Sequence, residues 1–275
     1  MKPQPKDDIR IIRPDRLQDI GLLTGSIYKV VYRPHTHDEY AIGVVESGVQ
    51  TFREPGGAYP APPGTIFTLN PGDVHAGEAA EETGYRYRLA YLPQDFIKKS
   101  LENDVGVTQG TPYLKHRLTN DSKLSKNLYH LLSTMAEPSA CSVKSESELV
   151  IFLRSLFHRH GEYRADEMPD TDMNPVRRVT DMIKSRFAEP VTLSEMATLA
   201  GLSKYHFIRV FQSKTGLSPH AYLTQTRVAK ARSAIESGVS LAEAAFASGF
   251  SDQSHMSRYF KSTYGITPGR FSRMC

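Results

Sequence analysis

"LSEMATLAGLSKYHFIRVFQSKTGLSP", Leu193–Pro219, is written a second time with changes as "LAEAAFASGFSDQSHMSRYFKSTYGITP", Leu241–Pro268. Leu193, Glu195, Ala197, Gly201 and Ser203 recur 48 residues on as Leu241, Glu243, Ala245, Gly249 and Ser251. After one inserted residue, Arg209, Phe211, Gly216 and Pro219 recur 49 residues on as Arg258, Phe260, Gly265 and Pro268. Such internal repetition marks one supersecondary unit used twice. Thr192-x-x-Glu195 and Ser240-x-x-Glu243 are capping boxes, in which a hydroxyl and a carboxylate satisfy free amides at a helix start. Small residues follow, so two helices can cross closely. Gly201 and Gly249 then suit a tight turn with positive φ. Ser203 and Ser251 are the expected caps of the second helix of each unit. On those helices Phe207, Val210 and Phe211, and again Met256, Tyr259 and Phe260, form an apolar stripe for the core.

Helix, glycine turn and a second helix with polar and basic residues at its start is the helix-turn-helix plan, whose second helix reads base edges in the major groove. The charge distribution agrees. Residues 175–275 hold 14 Lys and Arg against 6 Asp and Glu, a formal +8, and the other 174 residues hold 20 against 24, a formal −4. One domain is suited to a polyanion and the other is not. A plain helical domain with charged outer faces would explain one copy of the motif, but not two copies, both capping boxes and this charge.

Working toward the N-terminus, "NPVRRVTDMIKSRF" opens this domain with Asn174 as N-cap and Pro175 at the first helical position. The acidic, aperiodic stretch before it reads as a linker over 166–174. Leucines at helical spacing on both sides of Pro138 predict a helical hairpin over about 121–160. Residues 20–98 read as short strands: "SIYKVVY", "EYAIGVVESGVQTFREPGG", "GTIFTLNPGDVHAG" and "GYRYRLAYLP". Their number and spacing predict a barrel or sandwich. The fold class is therefore α+β in two domains, a β-barrel plus helical hairpin over 1–165 and an all-α domain over 175–275.

Two cysteines, Cys141 and Cys275, make neither a disulfide framework nor a zinc set, which fits a reducing cytoplasm. No apolar run approaches the roughly 18 residues of a membrane span, and no secretory leader is visible in the opening residues.

The histidines of "PHTHDEYAIG", Pro34–Gly43, raise a separate question. His35, His37, Glu39, Ala41 and Gly43 share one strand parity, a wall of polar groups followed by small residues that leave room. "PGDVH" supplies His75 downstream, and Tyr85, Tyr87 and Tyr91 alternate on a later strand, with Arg86 and Arg88 on the other face. Three readings stand: His35, His37 and His75 as metal ligands, the same groups with Glu39 and Tyr87 hydrogen-bonding a small effector, or satisfied structural histidines. His158 and His160 lie on one helix without facing each other, so they make no metal site.

Residues 175–275 resemble the DNA-binding domain of the AraC/XylS family of bacterial transcription regulators. "LSEMATLAGLSKYHFIRVFQSKTGLSP", "YLTQTRVAKA" and above all "GFSDQSHMSRYFKSTYGITPGRF" carry the resemblance. It implies two helix-turn-helix units joined by a long helix, about Pro219 to Glu236, with recognition helices in successive major grooves roughly 34 Å apart. By motif position Lys204, Tyr205, Ile208 and Arg209 of the first unit, and Asp252, Gln253, His255, Ser257 and Arg258 of the second, would face DNA. Arginine and glutamine have bidentate base partners, and Ile208 suits a thymine methyl. Arg258 has the alternative of a local salt bridge. Lys204, Lys214 and Lys261 would meet phosphates. Met256 stands where the family usually has Phe, a core change of similar volume.

"HTHDEYAIGVVESG" and "APPGTIFTLNPGDVHAG" are similar to the cupin-like effector domain of such regulators. Metal cupins place a glutamate where this chain has Ala41 or Ile42, and an asparagine where it has Ala79, so no cofactor is expected. The resemblance implies a cytoplasmic, sequence-specific regulator whose partners are double-stranded promoter DNA, a small-molecule effector and RNA polymerase. A homodimer would form through the 121–160 helices. The alternative is a metal-dependent cupin enzyme fused to a DNA-binding module.

Overall fold

The computed structural model describes residues 6–14, 17, 19–54, 57–102, 110–137, 143–164 and 175–274. The linker expected at 166–174, the cap Asn174, Pro138 and both cysteines lie outside the described residues. Two compact units form, one of Met1–Val31 with His37–Met168 and one of Tyr32–Thr36 with Pro169–Cys275.

The first part of the chain runs β1 (Asp8–Ile12), β2 (Gly21–Ile27), β3 (Tyr32–His35), β4 (Tyr40–Gly48), β5 (Gln50–Glu54), β6 (Gly57–Ala61), β7 (Ile66–Leu69), β8 (His75–Ala79) and β9 (Tyr85–Leu92). Then come α1 (Gln94–Leu101), β10 (Thr111–Leu114), β11 (Leu118–Thr119), α2 (Ser122–Met135), α3 (Val143–His160) and β12 (Gly161–Arg164). The largest sheet has the order β1-β2-β9-β4-β7-β11, and a smaller one contains β8-β5-β6. One face of β4, with Tyr40, Ile42 and Val44, joins Ala90 and Leu92 of β9 in a core closed by the α2 leucines and by Leu149, Leu153 and Leu156 of α3. Each fully buried leucine there contributes about 1.5–3 kcal/mol. The opposite face of β4 carries Ala41, Gly43 and Val45. A Cβ built on Gly43 would stand 2.7 Å from Leu89 Cβ and would overlap Phe67 Cζ. The room left by the small residues is filled by an aromatic core, with Phe67 against Phe52 at 5.4 Å and against Tyr87 at 6.1 Å.

The expected barrel is not closed among the described residues: the strands form separate sheets. Closure needs edge strands that can pair. The large sheet ends on the two-residue β11, and β6 carries Pro60, which has no amide to donate. "SIYKVVY" is not one strand either. The Asp7 carboxylate accepts from the Tyr28 and Lys29 amides at 2.6 and 2.9 Å, so those donors leave the ladder and β2 stops at Ile27. β-propensity yields to that local bond.

The second unit continues with α4 (Pro175–Ser185), α5 (Leu193–Ala200), α6 (Lys204–Thr215), α7 (Pro219–Glu236), α8 (Leu241–Ala247), α9 (Gln253–Tyr264) and α10 (Pro268–Ser272). Val176, Val179 and Ile183 of α4 pack with Met196, Ala197, Ala200, Phe207 and Phe211 around Leu223 of α7. The second repeat builds its own core, with Phe260 against Tyr264 at 4.7 Å and Phe271 at 5.3 Å. α7 touches α4, α6, α8, α9 and α10, so both repeats share it as a spine. Arg227 of α7 donates to the Phe187 and Glu189 carbonyls at 2.7 and 2.8 Å, satisfying acceptors beyond the end of α4.

Candidate DNA interface and ligand pocket

Both capping boxes form. Glu195 N donates to Thr192 Oγ1 at 3.2 Å while Thr192 N donates to Glu195 Oε2 at 2.8 Å, and Ser240 with Glu243 repeats the exchange at 3.3 Å each way. Gly201 and Gly249 take φ of +67° and +80° in the turns. Ser203 caps α6 by accepting from His206 N. The corresponding cap in the second unit is not Ser251 but Asp252, whose Oδ1 accepts from His255 N at 2.7 Å. Asp252 stands one residue nearer the helix, and a carboxylate there also answers the positive helix end. Ser251 Oγ is diverted to Asp252 Oδ2 at 3.0 Å and lies 3.1 Å from His255 Nδ1. The His255 amide first, then the Ser251 hydroxyl, hold the Asp252 carboxyl below its usual range.

The buried stripes, Phe207 with Phe211 and Met256 with Phe260, turn the other faces of α6 and α9 outward. Lys204, Tyr205, Arg209, Lys214, Asp252, Gln253, Arg258 and Lys261 are exposed, and Ile208, His255 and Ser257 are half-buried. Tyr205 is 74% exposed although aromatic, and the Arg209 guanidinium lies 6.0 Å over its ring. His255 is turned inward, its ring 5.5 Å from Phe250 and 5.2 Å from Tyr259. Gln212 and Ser254 are exposed too. Gln212 follows Arg209 by three residues on α6, a helical spacing that could have found it.

The effector candidates separate into three groups. His37 and His75 come together at 5.0 Å between ring centroids, and Tyr91 meets His37 edge-on at 5.3 Å. His37 Nδ1 donates to the Glu39 carbonyl at 2.7 Å and His75 Nδ1 to the Asp73 carbonyl at 3.0 Å. With Nδ1 donating, Nε2 of each neutral ring carries the lone pair. Glu39 enters this pairing through its backbone. His35 belongs to the Tyr32–Thr36 segment of the second unit and bonds the Arg33 carbonyl at 2.7 Å. Tyr87 lies four residues along β9 from Tyr91, ~13 Å at strand rise. There it stacks on Tyr85 at 5.5 Å over the space left by Gly25. Burial first, then Tyr87 and Asp7, push the Tyr85 hydroxyl well above its ordinary value. Tyr91 shares the parity of Tyr87 and pairs with Ala41 across the sheet, and that alternation was its signal. Among the described residues no three His, Cys, Asp or Glu side chains gather as metal ligands, and no helix is long and apolar enough to cross a membrane.

Residues 22–153 match the family model of the AraC-like ligand binding domain, and residues 196–274 match that of a helix-turn-helix domain. The chain is 30% identical over 222 residues to the uncharacterized HTH-type transcriptional regulator YbfI of Bacillus subtilis, covering 81% of this chain and 80% of that protein. It is 25% identical over 245 residues to the HTH-type transcriptional activator RhaS of Klebsiella pneumoniae, covering 85% of each. Its fold is similar to an apo ToxT variant from Vibrio cholerae, with TM-score 0.60 and 15% identity over 98% of this chain and 96% of that one. It is also similar to unsaturated fatty acid bound ToxT from the same species, with TM-score 0.58 and 14% identity over 100% and 98%.

Proposed function

Because the chain belongs to the AraC family of helix-turn-helix transcription regulators, we propose that α6 and α9 read promoter DNA and that a small-molecule effector binds beside His37, His75 and Tyr91. Arg209 and Gln253 make bidentate base contacts, and Tyr205, Ile208, Ser257 and Arg258 add smaller ones. Lys204, Lys214 and Lys261 hold phosphates. Asp252 and His255 set the first turn of α9. The α2–α3 hairpin joins two copies, RNA polymerase is the downstream partner, and the protein works in the cytoplasm without catalysing a reaction.

The observation that carries this reading is the paired geometry of α6 and α9. Each is twelve residues long, capped at its start and backed by buried aromatic or Met side chains. Both rest on α7, whose 18 residues span about 27 Å. A long helix between two recognition helices is the arrangement that would set them in successive major grooves on one DNA face. Effector control requires that the effector bind the DNA-competent and incompetent states unequally.

The test is fluorescence anisotropy of the full chain on DNA from upstream of its own gene, against a shuffled duplex. Specific binding that weakens between about 50 and about 200 mM salt is expected. Equal binding to both duplexes, with or without metabolites, would overturn the DNA reading. A metabolite thermal-shift screen tests the pocket, since a ligand of the native state raises the midpoint. A hit whose shift survives His75→Ala and Tyr91→Ala would place the effector elsewhere.

A further inference from the structure

Beside the core closed by α2 and α3, the same face of the large sheet carries a second group of polar side chains, distinct from the histidine pair. In register across β1, β2 and β9, Arg10 stands beside Thr24 and Thr24 beside Arg88, while Asp8, Ser26 and Arg86 form the neighbouring row. This is the parity opposite to Tyr85, Tyr87 and Tyr91. These rows floor an open cleft of about 420 Å³, with Ile12 and Ala136 at its apolar margin. That volume falls within the roughly 300–1,000 Å³ of small-molecule sites.

A strand irregularity completes it. The register of β4 on β9 slips between Val45 and Ser47, so Glu46 is an extra residue in the strand. Bulges of this kind re-aim a side chain. Glu46 is aimed at two arginines: its Oε1 pairs with Arg88 Nε, and its Oε2 lies 3.5 Å from Arg86. The Glu46 side chain is only 11% exposed, whereas Arg86 and Arg10 remain 59% and 72% exposed. Asp8 takes Arg10 Nε at 3.2 Å. Three guanidinium groups therefore face two carboxylates. Each guanidinium has five N–H donors, and the acids engage only part of that set. Arginine clusters with spare donors are matched to carboxylate and phosphate oxygens.

We propose that this cleft binds a small organic anion, a carboxylate or phosphate ester, with its charged group on Arg86 and Arg10 and its uncharged part on Ile12 and Ala136. Glu46 keeps Arg88 and Arg86 in place when the cleft is empty. The ligand is a second input to the regulator, independent of the histidine pocket.

Isothermal titration calorimetry on the full chain tests this with benzoate, phenyl phosphate and, as neutral control, benzamide at matched ionic strength. At least one anion is expected to bind and benzamide is not, and the stronger anion distinguishes carboxylate from phosphate. Arg10→Gln and Arg86→Gln leave the Arg88–Glu46 pair intact, and each should weaken the anion by about fivefold, the effect of one solvated charge contact. Glu46→Gln should tighten it, because the internal competitor is gone. Binding should persist in His75→Ala. Absence of heat with both anions, equal heat with benzamide, or unchanged affinity in both arginine variants would overturn the proposal.

Discussion

A Cβ placed on Gly249 would stand 2.8 Å from the Cα of Ala188, while nothing comes within 4 Å of the same point on Gly201. The two glycines occupy matching places in the repeat and share a left-handed φ, yet only one is also pressed against backbone. Gly201→Ala should cost about 1–2 kcal/mol, the left-handed strain alone. Gly249→Ala should cost about 1–3 kcal/mol more, because the segment at Phe187 and Ala188 must retreat. Urea denaturation of both variants measures the difference. Equal losses would mean that this segment gives way freely.

The cap on α9 separates charge from hydrogen bonding. Asp252→Asn keeps an acceptor for the His255 amide, and Asp252→Ala removes it. Faster hydrogen exchange at the His255 amide and weaker promoter binding are expected for the alanine variant, with the asparagine variant near wild type. An alanine variant with unchanged exchange would show that the cap contributes nothing to the first turn of α9.

Acid should act on this cap and on two others, Asp121 at the start of α2 and the Thr192–Glu195 box at the start of α5. Asp121, Glu195 and Asp252 are each held below their ordinary values, chiefly by the backbone amides of Leu124, Thr192 and His255 respectively. A carboxylate lowered in the folded state adds stability that is complete above its unfolded value. The ordinary values are 3.8 for aspartate and 4.5 for glutamate. That stability is lost as pH falls through the lower folded value. The denaturation midpoint should therefore fall below about pH 4. Glu195→Gln should shallow this acid limb, and an unchanged limb would count against the cap as its source.

Base and phosphate contacts should behave differently. Arg209→Ala and Gln253→Ala are expected to lose about 1–3 kcal/mol of discrimination at one or two positions of the binding site. Lys214→Gln and Lys261→Gln should weaken all sequences alike and flatten the salt dependence by about 0.9 per contact. Anisotropy titrations on a set of single-base variants, repeated across salt, read both effects. Loss of discrimination from the lysine changes would exchange the assigned roles.

The DNA-binding half was legible because its code is local. A capping box closes over three residues, a glycine turn over one or two, and an apolar stripe repeats every three or four, so "LSEMATLAGLSKYHF" specifies its helices almost in isolation. The one local error, Ser251 in place of Asp252, arose where two good caps stand side by side and the helix starts after the second.

The N-terminal half was legible only as strands. Its outcome rests on partners far apart in the chain: Phe67 fills the gap beside Gly43, Tyr87 fills the gap beside Gly25, and β1 pairs with β2 rather than closing a barrel. Strand parity placed His35 and His37 on one face, but tertiary structure put only His37 with His75 and Tyr91. It also brought Arg10 and Glu46 to Arg86 and Arg88, and strand alternation links only the last two. By itself the sequence determined the repeated helix-turn-helix, its charge and its outward faces, because those interactions span a turn of helix. Tertiary structure alone decided which space stays open for a ligand, because that depends on which distant side chain arrives to fill it.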